Sequence, residues 1–260
     1  MPAYYVFPGG TLDLEDHDPA VYNKTTGKDL NAVSGLVDDD FPKQDAIVYC
    51  FAAVRETFEE AGVFLHDPGE QNPGGLQRML EQRRVGLLHR GWLRDRILSE
   101  GWVLNFSRLK RWSHWFTPEL MPKRFDTRFF LALMPHGQEC IPDNMETTHG
   151  IWITPENALA ANLKGEIPLS PPTLVTLHEL LPYSSLEDLQ KELKGRPWGK
   201  VRLPRLIPLP EGALLLEPWD PMYKQEVKID GKTLENLIMP IGKPFSRIWN
   251  HNGIWKAIGI

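Results

Sequence analysis

Cysteine is nearly absent from this chain of 260 residues: Cys50 and Cys140 are its only two. That excludes a disulfide framework and a thiolate metal site, both of which need more sulfur. No apolar run reaches the roughly 18 residues of a membrane-spanning helix, so no membrane span is expected. Positive charge is not in excess either. A net charge of −5 leaves no footprint for nucleic acid, although a local basic patch can still hold a phosphate. The first residues lack the basic flank and apolar core of a secretory leader. The last five, Lys256-Ala257-Ile258-Gly259-Ile260, are not of the peroxisomal Ser-Lys-Leu type. A cytoplasmic location is the default expectation. Internal repeats and low-complexity tracts are also missing.

What is present is ordinary in bulk and unusual in detail. The chain is 42% hydrophobic and 24% charged, a balance that lets a globular protein bury a sizeable core. Its 23 prolines and nine tryptophans point to rigid loops and much aromatic packing.

The most informative stretch is Arg55-Glu56-Thr57-Phe58-Glu59-Glu60-Ala61-Gly62-Val63. At 100° per residue, the three glutamates fall within an arc of about 100° on one helical face. Phe51, Val54, Phe58 and Ala61 fall on the opposite face, as a stripe for a core to bury. Ala52 and Ala53 flank the acids with little bulk, and Gly62 suits the left-handed position that ends a helix. Three like charges this close repel one another. A hard divalent cation such as Mg²⁺ or Mn²⁺ would relieve that repulsion, because it takes oxygen ligands and retains waters. The competing reading is a solvated acidic face.

Upstream, Val6-Phe7-Pro8-Gly9-Gly10 is a short strand ending in a glycine loop. With Arg-Glu-x-x-Glu-Glu-x-Gly it resembles the signature of the Nudix hydrolases. In that pattern an acid stands six residues after the second glycine, and an arginine eight residues later. Here the acid is Asp16, shorter than the usual glutamate, and the arginine is Arg55 rather than position 24. About thirty polar residues therefore interrupt the signature, a segment that reads as a loop or lid with little structure of its own.

The resemblance implies an α+β (α/β/α sandwich) Nudix fold with a mixed sheet and a helical insertion. So few residues precede the glycine loop that the N-terminal strand or strands of that fold are expected to be missing. The domain expected is 1–195, with insertions at about 17–43 and 67–110, followed by a β-rich extension at 196–260. Amphipathic helices are predicted at 76–88 and 93–104, with their arginines solvated. Strands are predicted at 4–7, 112–117, 125–134 and 150–153, and helices at 155–162, 172–181 and 185–193. The extension should hold strands near 201–208 and 213–218, with a hairpin at 229–232.

Further segments are similar to the Nudix branch that includes peroxisomal coenzyme A diphosphatases. They are Phe116-Thr117-Pro118, Arg124-Phe125-Asp126-Thr127-Arg128-Phe129, Glu146 with Trp152, and Leu169-Ser170-Pro171-Pro172-Thr173. The likeness spans about residues 4–190. It implies metal-dependent hydrolysis of coenzyme A or acyl-CoA to 3′,5′-ADP and (acyl-)phosphopantetheine. Two alternatives stay open: a diphosphatase for another nucleotide such as ADP-ribose or NADH, and a non-catalytic nucleotide-binding module.

By the same resemblance Glu56, Glu59 and Glu60 are the metal ligands, and Glu59, Glu56 and Arg55 the catalytic set, with Arg55 fixing a glutamate through a bidentate pair. Gly9 and Gly10 let the loop backbone approach, and Lys123 and Arg124 are candidates for a substrate phosphate. Glu146 is a candidate extra ligand or base. His114 and His149 are candidates for proton transfer, and Trp112 or Trp115 for stacking on adenine. The expected partner is a small nucleotide substrate, neither nucleic acid nor membrane, with homodimerisation left open.

Overall fold

A computed structural model describes residues 4–25, 36, 43–65, 74–102, 104, 106–142, 149–227 and 231–259. Helix formation follows local signals. After a 3₁₀ turn at Leu14–His17, helix α1 (Pro19–Thr25) starts on Asp18, whose carboxylate accepts the Ala20 amide at 2.8 Å. Pro19 takes the first helical position, where no backbone donor is needed. The interrupting segment is thus not all loop. Val21 and Tyr22 are buried, and Arg94 grips Asp18 at 2.5 Å, so α1 docks on the later helix that carries Arg94.

Helix α2 (Lys43–Ala61) carries the acidic face. Its stripe of Phe51, Val54, Phe58 and Ala61 is buried, as the 3.6-residue period requires. Gly62 closes it at φ 70°, its amide bonding the Phe58 carbonyl at 2.9 Å. Helices α3 (Gly75–Arg84) and α4 (Trp92–Glu100) form the predicted helical insertion. They share a core with α1 and α2 that includes Val21, Phe51, Phe58, Phe64, Met79, Trp92, Leu93, Ile97 and Trp102.

Strands β1 (Leu109–Phe116) and β2 (Asp126–Ala132) pair antiparallel, with a bulge between Arg111 and Ser113. Helices α5 (Pro155–Leu163), α6 (Pro171–Leu180) and α7 (Leu186–Leu193) follow. Thr154 caps α5 by accepting the Asn157 amide, with Pro155 at the first position. The second sheet is a four-stranded antiparallel meander of β3 (Arg205–Pro208), β4 (Ala213–Leu216), β5 (Arg247–His251) and β6 (Ile254–Ile258). Parallel character enters through two isolated bridges, Tyr5 with Leu169 and Trp115 with Arg202. The second ties the two sheets: the Phe116 amide bonds the Arg202 carbonyl at 2.8 Å, and the Arg202 amide the His114 carbonyl at 2.9 Å.

Alternation with period two sorts the meander's side chains. Leu215, Ile248 and Ala257 pack with Trp115, Leu159, Leu174 and Val175, so this face meets α5 and α6. Leu214, Leu216, Trp249 and Ile258 lie on the other face, against Leu234. The strands of the 196–260 segment therefore share a core with helices encoded before it.

Three further sequence expectations change. Residues 4–7 make a single bridge rather than a strand. Residues 150–153 are not a strand: Ile151 and Trp152 are exposed, and no ladder pairs this stretch among the described residues. The hairpin expected at 229–232 lies partly outside the described residues, and Gly231–Leu237 is a 3₁₀ helix. A two-residue hairpin sits instead at Asn252 and Gly253, with φ of 52° and 82°, and pairs His251 with Ile254. Positive φ at both turn residues matches the right-handed twist of the strands and explains the Asn-Gly pair. No helix among the described residues is long and apolar enough to cross a membrane.

Candidate active site

Arg55 is the centre of the site and is buried. Its Nε and one terminal nitrogen grip Asp16, at 3.0 Å to Oδ1 and 2.8 Å to Oδ2. The other terminal nitrogen reaches Glu56 Oε1 at 2.8 Å and Glu59 Oε2 at 3.0 Å. The Thr11 carbonyl accepts a further bond at 2.9 Å. The guanidinium's planar fork suits this, since it presents five donors in fixed directions. Burial alone would lower the Arg55 pKa, but Asp16 together with Glu56 and Glu59 holds it above its ordinary value.

The bidentate partner of Arg55 is thus Asp16 and not the glutamate that the resemblance implied; Glu56 and Glu59 take one bond each. Asp16 is buried, and Oδ2 also accepts the Asp13 amide at 2.8 Å. Burial and the nearby Asp16 and Asp18 charges push the Tyr22 phenol up to about 12, so it stays a neutral donor to the Asp16 carbonyl at 3.2 Å.

The glycine loop meets the acidic face directly. The Gly9 amide donates to Glu60 Oε2 at 3.1 Å. A Cβ on Gly10 would overlap the Glu56 carboxylate, so any side chain here would force that carboxylate to move. Burial raises the pKa of Glu56 and of Glu59 against the pull of Arg55, and for Glu59 also against a hydrogen bond from Trp92. That bond runs from the indole Nε1 to Glu59 Oε1 at 2.5 Å.

Two functional contributions were not visible in the sequence reading. Trp92 is one. Arg83 is the other: buried, it donates to the carbonyls of Glu59 at 2.9 Å, Glu60 at 2.9 Å and Ile141 at 2.7 Å. It thereby caps the end of α2, where the last carbonyls have no helical partner. The expectation of solvated arginines is wrong for Arg83. It needs amending for Arg94, which pairs with Asp18 at 2.5 Å; Arg90, in the turn between the two helices, pairs with Asp13 and Glu15 at 3.1 Å each. A sequence signal existed: Gly75, Met79 and Arg83 are four apart on the buried face of α3.

Other candidates lie elsewhere. Lys123 and Arg124 are exposed in the β1–β2 turn, Lys123 4.8 Å above the Phe125 ring and Arg124 bonded to the Thr117 carbonyl at 3.2 Å. His114 is buried, 2.5 Å from Asp126, while His149 is exposed. Trp112 and Trp115 are core residues with guanidinium groups, of Arg196 and Arg202, over their rings, so neither is open to a base. Glu146 lies outside the described residues.

Among the described residues, no three carboxylate, imidazole or thiol side chains converge at metal-holding spacing. Glu56, Glu59 and Glu60 share a face, but each is drawn to a protein partner. The donor set still fits a hard divalent cation. It is all oxygen, and such ions commonly take one or two carboxylates, with waters and substrate phosphates completing the shell.

A glycine loop set against a carboxylate-bearing helix is the arrangement that the Nudix signature in the sequence implies. The crystal structure of a NUDIX hydrolase from Alicyclobacillus acidocaldarius superposes with a TM-score of 0.54 at 24% identity, covering 74% of this chain and 82% of that one. The NUDT19 Nudix domain family matches residues 1–180, and the chain belongs to that family. It is 32% identical to the human acyl-coenzyme A diphosphatase NUDT19 over 303 aligned positions, covering 95% of this chain and 76% of the relative. The Gallus gallus protein of that name is 28% identical, covering 95% and 78%.

Proposed function

We propose that this chain hydrolyses the diphosphate of coenzyme A or an acyl-CoA, releasing 3′,5′-ADP and phosphopantetheine or its acyl derivative. The observation that carries this reading is the Arg55 hub. It draws both halves of the interrupted signature together around the acidic face of α2. The named relatives support the substrate class.

The chemistry is addition of a water oxygen to one phosphorus and departure of the bridging oxygen with the other phosphoryl group. A divalent cation, Mg²⁺ or Mn²⁺, supplies neutralisation of the diphosphate and a more acidic water when bound. Glu59 and Glu60 would hold it, with Glu56 completing the set. Arg55 orients Glu56 and Glu59 from behind and is itself fixed by Asp16, so it acts by positioning. Gly9 and Gly10 bring the loop backbone against those carboxylates. Lys123 and Arg124 remain candidates for a substrate phosphate, the 3′-phosphate of coenzyme A among them.

The test is direct. Coenzyme A incubated with the protein and Mn²⁺ should yield 3′,5′-ADP by ion-pair chromatography. Glu59→Gln should cut the rate by more than about a hundredfold with an unchanged circular dichroism spectrum. Cleavage of ADP-ribose or NADH with coenzyme A left intact would overturn the substrate assignment.

A further inference from the structure

We infer that Trp92, delivered by the helical insertion, is a positioning residue that holds the Glu59 carboxylate ready for its cation; the inference rests on the metal role proposed for Glu59. Trp92 opens α4, thirty-three positions from Glu59, and its Nε1–H donates to Glu59 Oε1. The ring cannot turn away. It is buried, lies 5.1 Å from the Phe58 ring and 6.4 Å from the Phe64 ring, and belongs to the core beneath α2.

Its approach is fixed from both sides. Gly91 precedes it at φ +79°, and a Cβ there would meet Glu15 Cγ at 3.0 Å. Arg90 pairs with Asp13 and Glu15, and Arg94 with Asp18. The insertion thus clasps the segment after the glycine loop with its charges and presses one neutral donor onto the acidic helix.

That division of labour matters chemically. Arg55 already supplies positive charge to Glu59 through Oε2. A second cation at Oε1 would compete with a metal for the carboxylate, whereas an indole donor orients it without adding charge. A carboxylate offers about four lone-pair positions. Nε1–H and Arg55 each use one, and the remainder stay available while the group is held still. Ligands held this way bind metal more tightly because less motion is lost on binding.

Mn²⁺ binding to the substrate-free protein, read by electron paramagnetic resonance, tests this without reference to any substrate. Trp92→Phe keeps an aromatic ring and removes the donor. The dissociation constant should rise about tenfold, and kcat should fall by a similar factor with KM little changed. Site-specific replacement of Trp92 by 3-benzothienylalanine, which has sulfur in place of N–H, should do the same, and it serves if the Phe variant fails to fold. Mn²⁺ affinity within twofold of the parent in a folded variant overturns the positioning role and leaves the proposed function standing. A parent that binds no Mn²⁺, or binds it equally well as Glu59→Gln, overturns both the positioning role and the metal role proposed for Glu59.

Discussion

Arg55 holds both carboxylate oxygens of Asp16 across thirty-nine positions of chain, at 3.0 and 2.8 Å. The pair is buried on both sides, and it joins the glycine-loop segment to the acidic helix. Removing one partner of such a pair leaves the other charge buried and incompletely matched. Asp16→Asn should therefore lower stability by about 3 kcal/mol, seen as a lower urea midpoint at unchanged slope. A midpoint equal to the parent's would show that Glu56 and Glu59 suffice to hold Arg55.

Gly10 tests the close approach of loop and helix. The backbone there is not left-handed, so the cost of a side chain is steric alone: a Cβ would overlap the Glu56 carboxylate. Gly10→Ala should displace Glu56 and lower kcat at least about tenfold, with about 1–3 kcal/mol lost to overpacking. Steady-state kinetics beside thermal unfolding separates the two effects.

Arg83 holds the far end of the same helix through three backbone carbonyls. Arg83→Met keeps the length of the stem and removes every donor. Buried carbonyls left unpaired should cost about 3 kcal/mol, and amide exchange at Gly62 should quicken as the last turn of α2 frays. Unchanged exchange there would assign the stabilisation to the arginine stem.

Glu217 gives a pH dependence. It is fully buried, neither carboxylate oxygen has a hydrogen-bond partner among the described residues, and burial pushes its pKa up to about 8 despite Arg202. Glu179, paired with Arg202 at 2.7 Å, pushes in the same direction as burial. A raised carboxyl pKa means that the folded state holds the proton longer than the unfolded state. Its stability contribution is full below the unfolded value and falls as pH rises toward about 8. Each unit of difference is worth about 1.4 kcal/mol. Glu217→Gln, always neutral, should flatten the loss between pH 5 and 8 in urea titrations. An equally steep loss in the variant would place the titrating group elsewhere.

Much of the local structure was legible in the sequence. The stripe of Phe51, Val54, Phe58 and Ala61 gave the buried side of α2, and Thr154-Pro155 gave the start of α5. Two further signals were present but were passed over: Asp18-Pro19, a cap followed by proline at the first position, and Asn252-Gly253, the pair a two-residue hairpin requires. The stretch 150–153 misled because a short apolar run resembles a strand until a partner is sought. Arg83 misled because an arginine on a helix is usually solvated.

The residue types and spacing around Arg55 by themselves determined the chemistry available: three carboxylates on one face, a helix that ends at Gly62, and a glycine loop to meet them. That inference is local, since a helix turns by a constant angle per residue. The tertiary structure alone decided the partners. Asp16 takes the bidentate grip of Arg55, Trp92 takes Glu59, and Arg83 caps the carbonyls beneath. Those contacts join positions 23 to 39 apart in the chain, where distance in space follows from packing of the aromatic core and no periodicity in the sequence reports it.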